Sequence, residues 1–253
     1  MPLSRISQFF LVYGLGISAL FVIKYSLNLS DYVIPGPPEV FRTAGEVFGR
    51  YLIAVLDTLS VAVIGHLLSI LLATAVSIVG RPPSWIGSLI RAAAYNIQAY
   101  PIVAVAPIIF ILLGDGILTR LVIAAMICYF PLLLSFIGVF SEPVADVEHF
   151  YRSTGRMTWR LEVRIRAFEN IGKLTTVVVG SATLAMVGTI VAEFIAATAG
   201  IGYSIRIALY GSDLAKILVA LFLIGIFNSL YLFALEWIGG RIQARVDPSK
   251  GDP

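Results

Sequence analysis

Hydrophobic positions along this chain gather into six long runs, near residues 8–27, 52–79, 86–113, 117–140, 173–197 and 214–238. Each comes to or exceeds the roughly 20 residues that an α-helix needs to cross a bilayer. Unpaired backbone groups are intolerable in hydrocarbon, so repeated apolar runs in one chain predict membrane-spanning helices. The breaks between runs have turn chemistry. Pro35, Pro37 and Pro38 follow the first, Gly80, Pro82 and Pro83 follow the second, and Gly114, Asp115 and Gly116 separate the third from the fourth. The first run follows Arg5 as a signal-peptide core would, but no small-residue cleavage pattern comes after it, so it reads as a retained first span.

Composition narrows this to a single membrane domain over 1–253. The chain is 58% hydrophobic and 13% charged, too apolar for a water-facing surface, and little is left over for a second, soluble domain. The net charge of +3 is small and is explained by topology, so nucleic acid is not an expected partner. Cys128 is the only cysteine and lies in an apolar run, which excludes an internal disulfide and argues against a thiolate metal site. An even number of spans puts both termini on one side. That side would collect Arg5, Arg81, Arg152, Arg156, Arg160, Arg164, Arg166, Lys173, Arg241, Arg245 and Lys250. The other side would hold Lys24, Arg42, Arg50, Arg120, Arg206 and Lys216, and the bias predicts cytoplasmic termini.

The longest polar stretch, 141–172, then falls inside. ADVEHFYRST ahead of Gly155 has helical spacing, with Val147, Phe150, Tyr151 and Thr154 at near-3.6 intervals, and Gly155 suits a helix C-terminus. A second short helix, from about Thr158 to Phe168, would set Trp159, Val163 and Arg166 on one side, with Glu162 four residues ahead of Arg166. Two short helices joined at a glycine and lying at the membrane surface are expected.

Polar residues inside the runs need partners. A carboxylate in a bilayer costs on the order of 3 kcal/mol unless it faces protein or water. Glu193 is therefore expected to point inward, toward a bundle partner first, the pathway second and a solute third. His66, Asn96, Gln98 and Asn228 are expected to hydrogen-bond between helices, with pathway lining as the alternative. Gly188, Ala192, Ala196 and Gly200 recur every four residues and predict a smooth stripe for close helix packing. Pro101, Pro107 and Pro131 would bend their helices or free carbonyls. Residues 198–213, rich in glycine before an amphipathic stretch with Arg206, read as a helix near the outer mouth that touches a receptor or merely turns the chain back.

Four stretches carry a likeness: IPGPPEVF at 34–41, YPIVAVAPIIFILLGDG at 100–116, YFPLLLSFIGVFSEP at 129–143 and VAEFIAATAGIGYSI at 191–205. In order and spacing they resemble the permease subunits of type I ABC importers, particularly the branch handling nitrate, sulfonates, taurine and pyrimidine precursors. The resemblance implies an all-α membrane protein of the bacterial inner membrane, with about six transmembrane helices in a type I importer (MetI-like) bundle and a cytoplasmic coupling helix. Such permeases carry a loop motif written EAA, three residues, Gly, nine residues, I-x-L-P. Gly155 and Ile165 match it in position, whereas His149, Phe150 and Tyr151 stand where EAA would, and Ala167 and Phe168 where LP would. On this resemblance Phe150, Tyr151, Arg152, Gly155, Arg156, Trp159 and Ile165 make the ATPase-coupling surface, where aromatic anchors and charges meet a cleft in a partner chain. The implied partners are two ATP-binding ABC subunits, a second permease copy or sister permease, an external solute-binding protein and the lipid bilayer. ATP and Mg would be bound by the ATPase, with no cofactor in this chain.

No G-x-x-x-x-G-K-[ST] loop is present, so energy is expected from a partner. H-E-x-x-H, a usable G-x-S-x-G and any clustered His/Asp/Glu set are also missing, so no catalytic or metal-ligating residue is assigned and a non-catalytic translocation subunit is expected. Two rival classes stand beside this reading. One is an autonomous ion-coupled secondary transporter, which calls for inverted repeats that are not visible. The other is an intramembrane enzyme using Glu193 and His66. Anion, amino-sulfonate and pyrimidine precursor are all open as solutes, as are homodimer and heterodimer.

Overall fold

A computed structural model describes residues 5–246, so Lys250, assigned above to the inner side, lies outside the described residues. They form ten helices, and none of them is in a strand: α1 (Arg5–Ser26), α2 (Pro37–Gly80), α3 (Trp85–Gln98), α4 (Ile102–Leu113), α5 (Ile117–Ser141), α6 (Ala145–Ser153), α7 (Trp159–Glu169), α8 (Ile171–Ile195), α9 (Ile201–Tyr210) and α10 (Leu214–Val246). Five of them, α1, α2, α5, α8 and α10, are long and apolar enough to cross a membrane, and α3 and α4 pass the same test only as a pair, giving six spans if the bent pair counts as one. The all-α membrane fold expected from the hydrophobic pattern is the one observed.

Two spans differ from expectation. The third run, read as one span over 86–113, is two helices bent by 94° at a short break. Pro101 has no N–H to continue the ladder, and proline pushes the preceding Tyr100 away from helical geometry. Instead Tyr100 N–H closes a tightened turn on the Ile97 carbonyl at 3.1 Å. Pro107 and Pro131 sit within α4 and α5 without ending them. The second span begins at Pro37 rather than near residue 52, because Pro37 and Pro38 occupy the first turn, where a missing N–H costs nothing. The prolines read as a break are the start of a 44-residue helix, about 66 Å along its axis.

Packing centres on α2, α5, α8 and α10. A Cβ on Gly188 would meet the Ala124 Cα at 3.0 Å, and one on Gly65 the Ala124 Cβ at 3.2 Å, so α2 and α8 both close onto α5 at one small residue. In lipid, where apolar surface gains little by leaving its surroundings, such close contact is what holds helices together. Val55, Ala62, Met186, Ile201, Ala220 and Leu223 fill the end of the bundle near α9. Ala73, Ala94, Leu132, Phe136 and Phe140 fill the opposite end, beside α7. Helix α1 lies on the outside of α10, where Phe9, Phe10 and Tyr13 pack on Phe222. Arg5 pairs with Glu236 at 2.5 Å, which puts the start of α1 and the later part of α10 on the same side of the bundle.

Candidate functional site

The two short helices α6 and α7 stand at the end of the bundle where α2 and α5 terminate. Helix α6 starts with Asp146 and Glu148 in its first turn and ends with Arg152 in its last, matching side-chain charge to the helix dipole. Glu148 reaches back to accept the Val144 N–H at 3.1 Å. Helix α7 is capped by Thr158, whose Oγ1 accepts the Leu161 N–H at 3.2 Å. Between them Gly155 has φ +67°, the left-handed conformation that glycine adopts without strain. Its N–H donates to the Arg152 carbonyl and the Arg156 N–H to the Tyr151 carbonyl, both at 3.0 Å, the paired bonds of a Schellman termination. A Cβ here would meet open space, so the turn geometry and not a close contact is what calls for glycine.

Of the predicted coupling residues, Phe150 and Trp159 are 62% and 58% exposed. Arg152, Gly155 and Arg156 are exposed, while Tyr151 and Ile165 are half-buried. Phe150 and Tyr151 rings meet edge to face at 5.5 Å, and the Arg160 guanidinium lies 5.4 Å over the Trp159 ring. The inner face of α7, with Val163 and Ala167, packs on the core around Phe136 and Phe140.

A buried ion pair fixes this hairpin. Arg166 donates from Nε to Glu148 Oε1 at 2.7 Å and from Nη2 to Oε2 at 3.1 Å, a two-pronged contact between α7 and α6. Glu148 and Arg166 are 2% and 6% exposed. Arg166 Nη1 also donates to the Phe140 carbonyl at the end of α5, at 2.6 Å, and lies 3.0 Å from Glu162 Oε1. Glu162 in turn is 3.6 Å from Arg81 Nε, just beyond α2, and Ser141 Oγ donates to the Arg81 carbonyl at 3.0 Å. The ends of α2 and α5 are thus tied to both short helices. The Arg166 hydrogen bonds hold the Glu148 carboxyl below the usual carboxylate range against the opposing effect of burial, with the Val144 N–H and Arg152 adding to the depression. Sequence reasoning placed Arg166 among topological charges and four residues after Glu162, a pair that forms, but did not single out Glu148. Only the folded hairpin brings positions 18 apart into contact.

At the opposite end, Glu193 is fully buried, and its partners lie within the bundle. Thr58 Oγ1 lies 3.0 Å and 2.8 Å from its two oxygens, the Gly202 N–H donates to Oε2 at 3.0 Å, and Arg120 Nη1 donates to Oε1 at 3.2 Å. Arg120 also donates to Asp57 Oδ2 at 2.6 Å, and the Ile201 N–H donates to Thr58 Oγ1 at 2.9 Å. The carboxylate therefore caps the first turn of α9 and pairs with Arg120 near the start of α5. Gly200, at φ +93°, carries the chain past this carboxylate, and a Cβ there would come within 2.1 Å of it. Arg120 and Asp57 were missed as a pair. The signal was present, since a lone cation in the fourth run and a lone anion in the second each need a counter-charge.

The other predicted polar residues are scattered. His66, fully buried, has Nδ1 2.7 Å from Tyr231 Oη and Nε2 2.8 Å from Ser181 Oγ, joining α2, α8 and α10. Asn228 Nδ2 lies 3.5 Å from Thr183 Oγ1. Asn96 and Gln98 are exposed on α3, away from these groups, and Asn96 donates to its own helix at Ala92. The four-residue stripe does not run along one helix. Gly188 and Ala192 are buried within α8, Ala196 caps it with φ −146°, and Gly200 lies beyond.

Comparison with known proteins gives a family and two relatives. The profile of the family described as "Binding-protein-dependent transport system inner membrane component" matches residues 65–248. The chain is 33% identical over 153 residues to the riboflavin transport system permease protein RibX of Chloroflexus aurantiacus, a stretch covering 60% of this chain and 56% of that protein. It thus spans little more than half the length of that relative. It is 22% identical over 210 residues to the formylaminopyrimidine transport permease protein ThiX of Halalkalibacterium halodurans, covering 81% of this chain and 82% of that one.

Proposed function

The chain belongs to the family of binding-protein-dependent transport system inner membrane components, and on that premise we propose that it forms one half of the channel of an ATP-driven importer. It is a single non-catalytic translocation domain in the bacterial inner membrane, with both termini in the cytoplasm. The observation that carries the reading is the α6–α7 hairpin: exposed aromatics and arginines on its outer side, a buried Arg166–Glu148 contact and a tie to the ends of α5 and α2 beneath. An ATPase gripping Phe150, Arg152, Arg156 and Trp159 would move the hairpin, and the hairpin would move two spans with it. ATP and Mg belong to that partner. A second permease, whether another copy or a sister chain, completes the channel, and an external binding protein delivers the solute.

The relatives support a solute class. Riboflavin and formylaminopyrimidine, the cargoes named for them, share a flat heteroaromatic ring with a hydrogen-bonding edge. Of the solutes open at the level of sequence, a planar heterocycle such as a pyrimidine precursor is favoured over nitrate or a sulfonate.

The test is cysteine cross-linking at Phe150→Cys or Arg156→Cys in native membranes. The expected product joins this chain to a nucleotide-hydrolysing subunit, and its yield changes when a non-hydrolysable ATP analogue is added. If neither position captures such a subunit while the chain is correctly inserted, the importer reading fails.

A further inference from the structure

We infer that the break between α3 and α4 is a contact site for the passing solute, with Tyr100 stacking on a flat ring and Gln98 bonding to its edge; this rests on the importer reading above. Three observations meet at this place. The first is depth. Gln98 and Tyr100 border a cavity of about 300 Å3 whose other walls include Ile127 and Pro131 of α5 and Leu184 of α8. These positions are near the midpoints of Ile117–Ser141 and Ile171–Ile195, so the cavity sits halfway along the bundle.

The second is chemistry. Tyr100 is 66% exposed and Gln98 is exposed, and among the described residues neither side chain has a hydrogen-bond partner. At mid-bundle depth lipid tails offer an amide and a phenol no hydrogen bond, so these groups suit the interior that the second permease closes, where water or a polar guest can meet them. Neighbouring Asn96 differs, since it is satisfied by the Ala92 carbonyl at 2.7 Å and offers less to a guest.

The third is the break itself. Irregular backbone at membrane depth is tolerated where it lines a cavity, and here the chain turns by 94° at Pro101, which has no N–H. The first N–H groups of α4, from Ile102 and Val103, lose the carbonyls that a continuous helix would supply, and both residues border the same cavity. Ring faces for stacking, an amide for an edge and free backbone donors are the groups that recognise a planar heterocycle. They offer little to a compact anion, because no cationic side chain borders the cavity.

The experiment uses the full complex in proteoliposomes. Cys128, the only cysteine, is buried and is replaced by serine, and Gln98→Cys is then introduced. Labelling by a water-soluble thiol reagent is measured in the nucleotide-free and ATP-trapped states, with riboflavin, formylaminopyrimidine or taurine as competitor. The expected result is labelling that changes between the two states and is slowed at least about fivefold by riboflavin or formylaminopyrimidine but not by taurine. In parallel, Tyr100→Leu should lower uptake of the protecting heterocycle about tenfold, the scale of one lost stacked ring, while Tyr100→Phe keeps it. Labelling that responds to nucleotide but is protected by none of the three, or equally by taurine, overturns the solute site and leaves the importer standing. No labelling in either state overturns the water-facing placement. Labelling that ignores nucleotide counts against the importer reading itself.

Discussion

Replacing Arg166 with methionine removes a guanidinium that donates twice to Glu148 and once to the Phe140 carbonyl. Glu148, 2% exposed, keeps the Val144 N–H and the contact from Arg152 at 2.9 Å, but that arginine's side chain is 60% exposed and holds it weakly. Breaking a buried pair by removing one partner costs about 3–5 kcal/mol, and the surviving contacts put this site at the lower end. About 3 kcal/mol corresponds to a rise of roughly 100-fold in the population of the opened hairpin. The readout is hydrogen exchange at the Gly155 and Arg156 amides, whose bonds to Arg152 and Tyr151 close the turn, measured in the purified complex. The matching double variant, Glu148→Leu with Arg166→Met, removes both charges and should return exchange to within about tenfold of the parent, because apolar replacement of a whole buried pair is near neutral. The double variant should still lose transport relative to ATP hydrolysis, since the tie to the end of α5 is gone. If the single variant exchanges like the parent, or the double like the single, the pair does not hold the hairpin.

Three further outcomes are expected. Gly155→Val forces a β-branched residue into φ +67°, at a cost of about 1–2 kcal/mol; transport per ATP hydrolysed should fall while the amount inserted in membranes is unchanged, and an unaltered ratio would rule out the coupling role. Gly200→Ala drives a methyl into the Glu193 carboxylate and should lower the melting temperature in detergent markedly, whereas Gly240→Ala, facing open space inside α10, should leave it unchanged or slightly raised. Because Glu148 titrates below its ordinary value of 4.5, its contribution to the hairpin is complete above that pH and is lost as pH falls through the depressed value; Trp159 emission, with Trp85 and Trp237 changed to phenylalanine, should report a transition below pH 4.5 that Arg166→Met moves upward.

Much of the fold was legible because lipid imposes it. Four spans, α1, α5, α8 and α10, begin within a few residues of their apolar runs, and α10 continues past its run as the chain leaves hydrocarbon. Hydropathy averaged over a window cannot see a corner, so the apolar residues on both sides of Pro101 read as one helix. The N-terminal extension of α2 was lost for the converse reason: Arg42, Glu46 and Arg50 lie ahead of the apolar run, whose edge is not where a helix must begin. In the hairpin, the glycine, the aromatics and both helices were readable from local spacing. The contact between Glu148 and Arg166 was not, because it is made only after α7 folds back on α6. Likewise Glu193 announced itself by cost, but Thr58, Arg120 and the start of α9 answered it from elsewhere in the chain.

The length of α2 has a mechanical consequence. At about 66 Å it is roughly twice the hydrocarbon thickness, and no turn interrupts it between Pro37 and Gly80. Its end lies next to Arg81, which pairs with Glu162, and its opposite end is exposed at Arg42, Glu46 and Arg50, the layout of a mast. If α2 tilts as one rod, a displacement at its foot is expected to reach its head in the opposite sense, which would link the two surfaces through a single element.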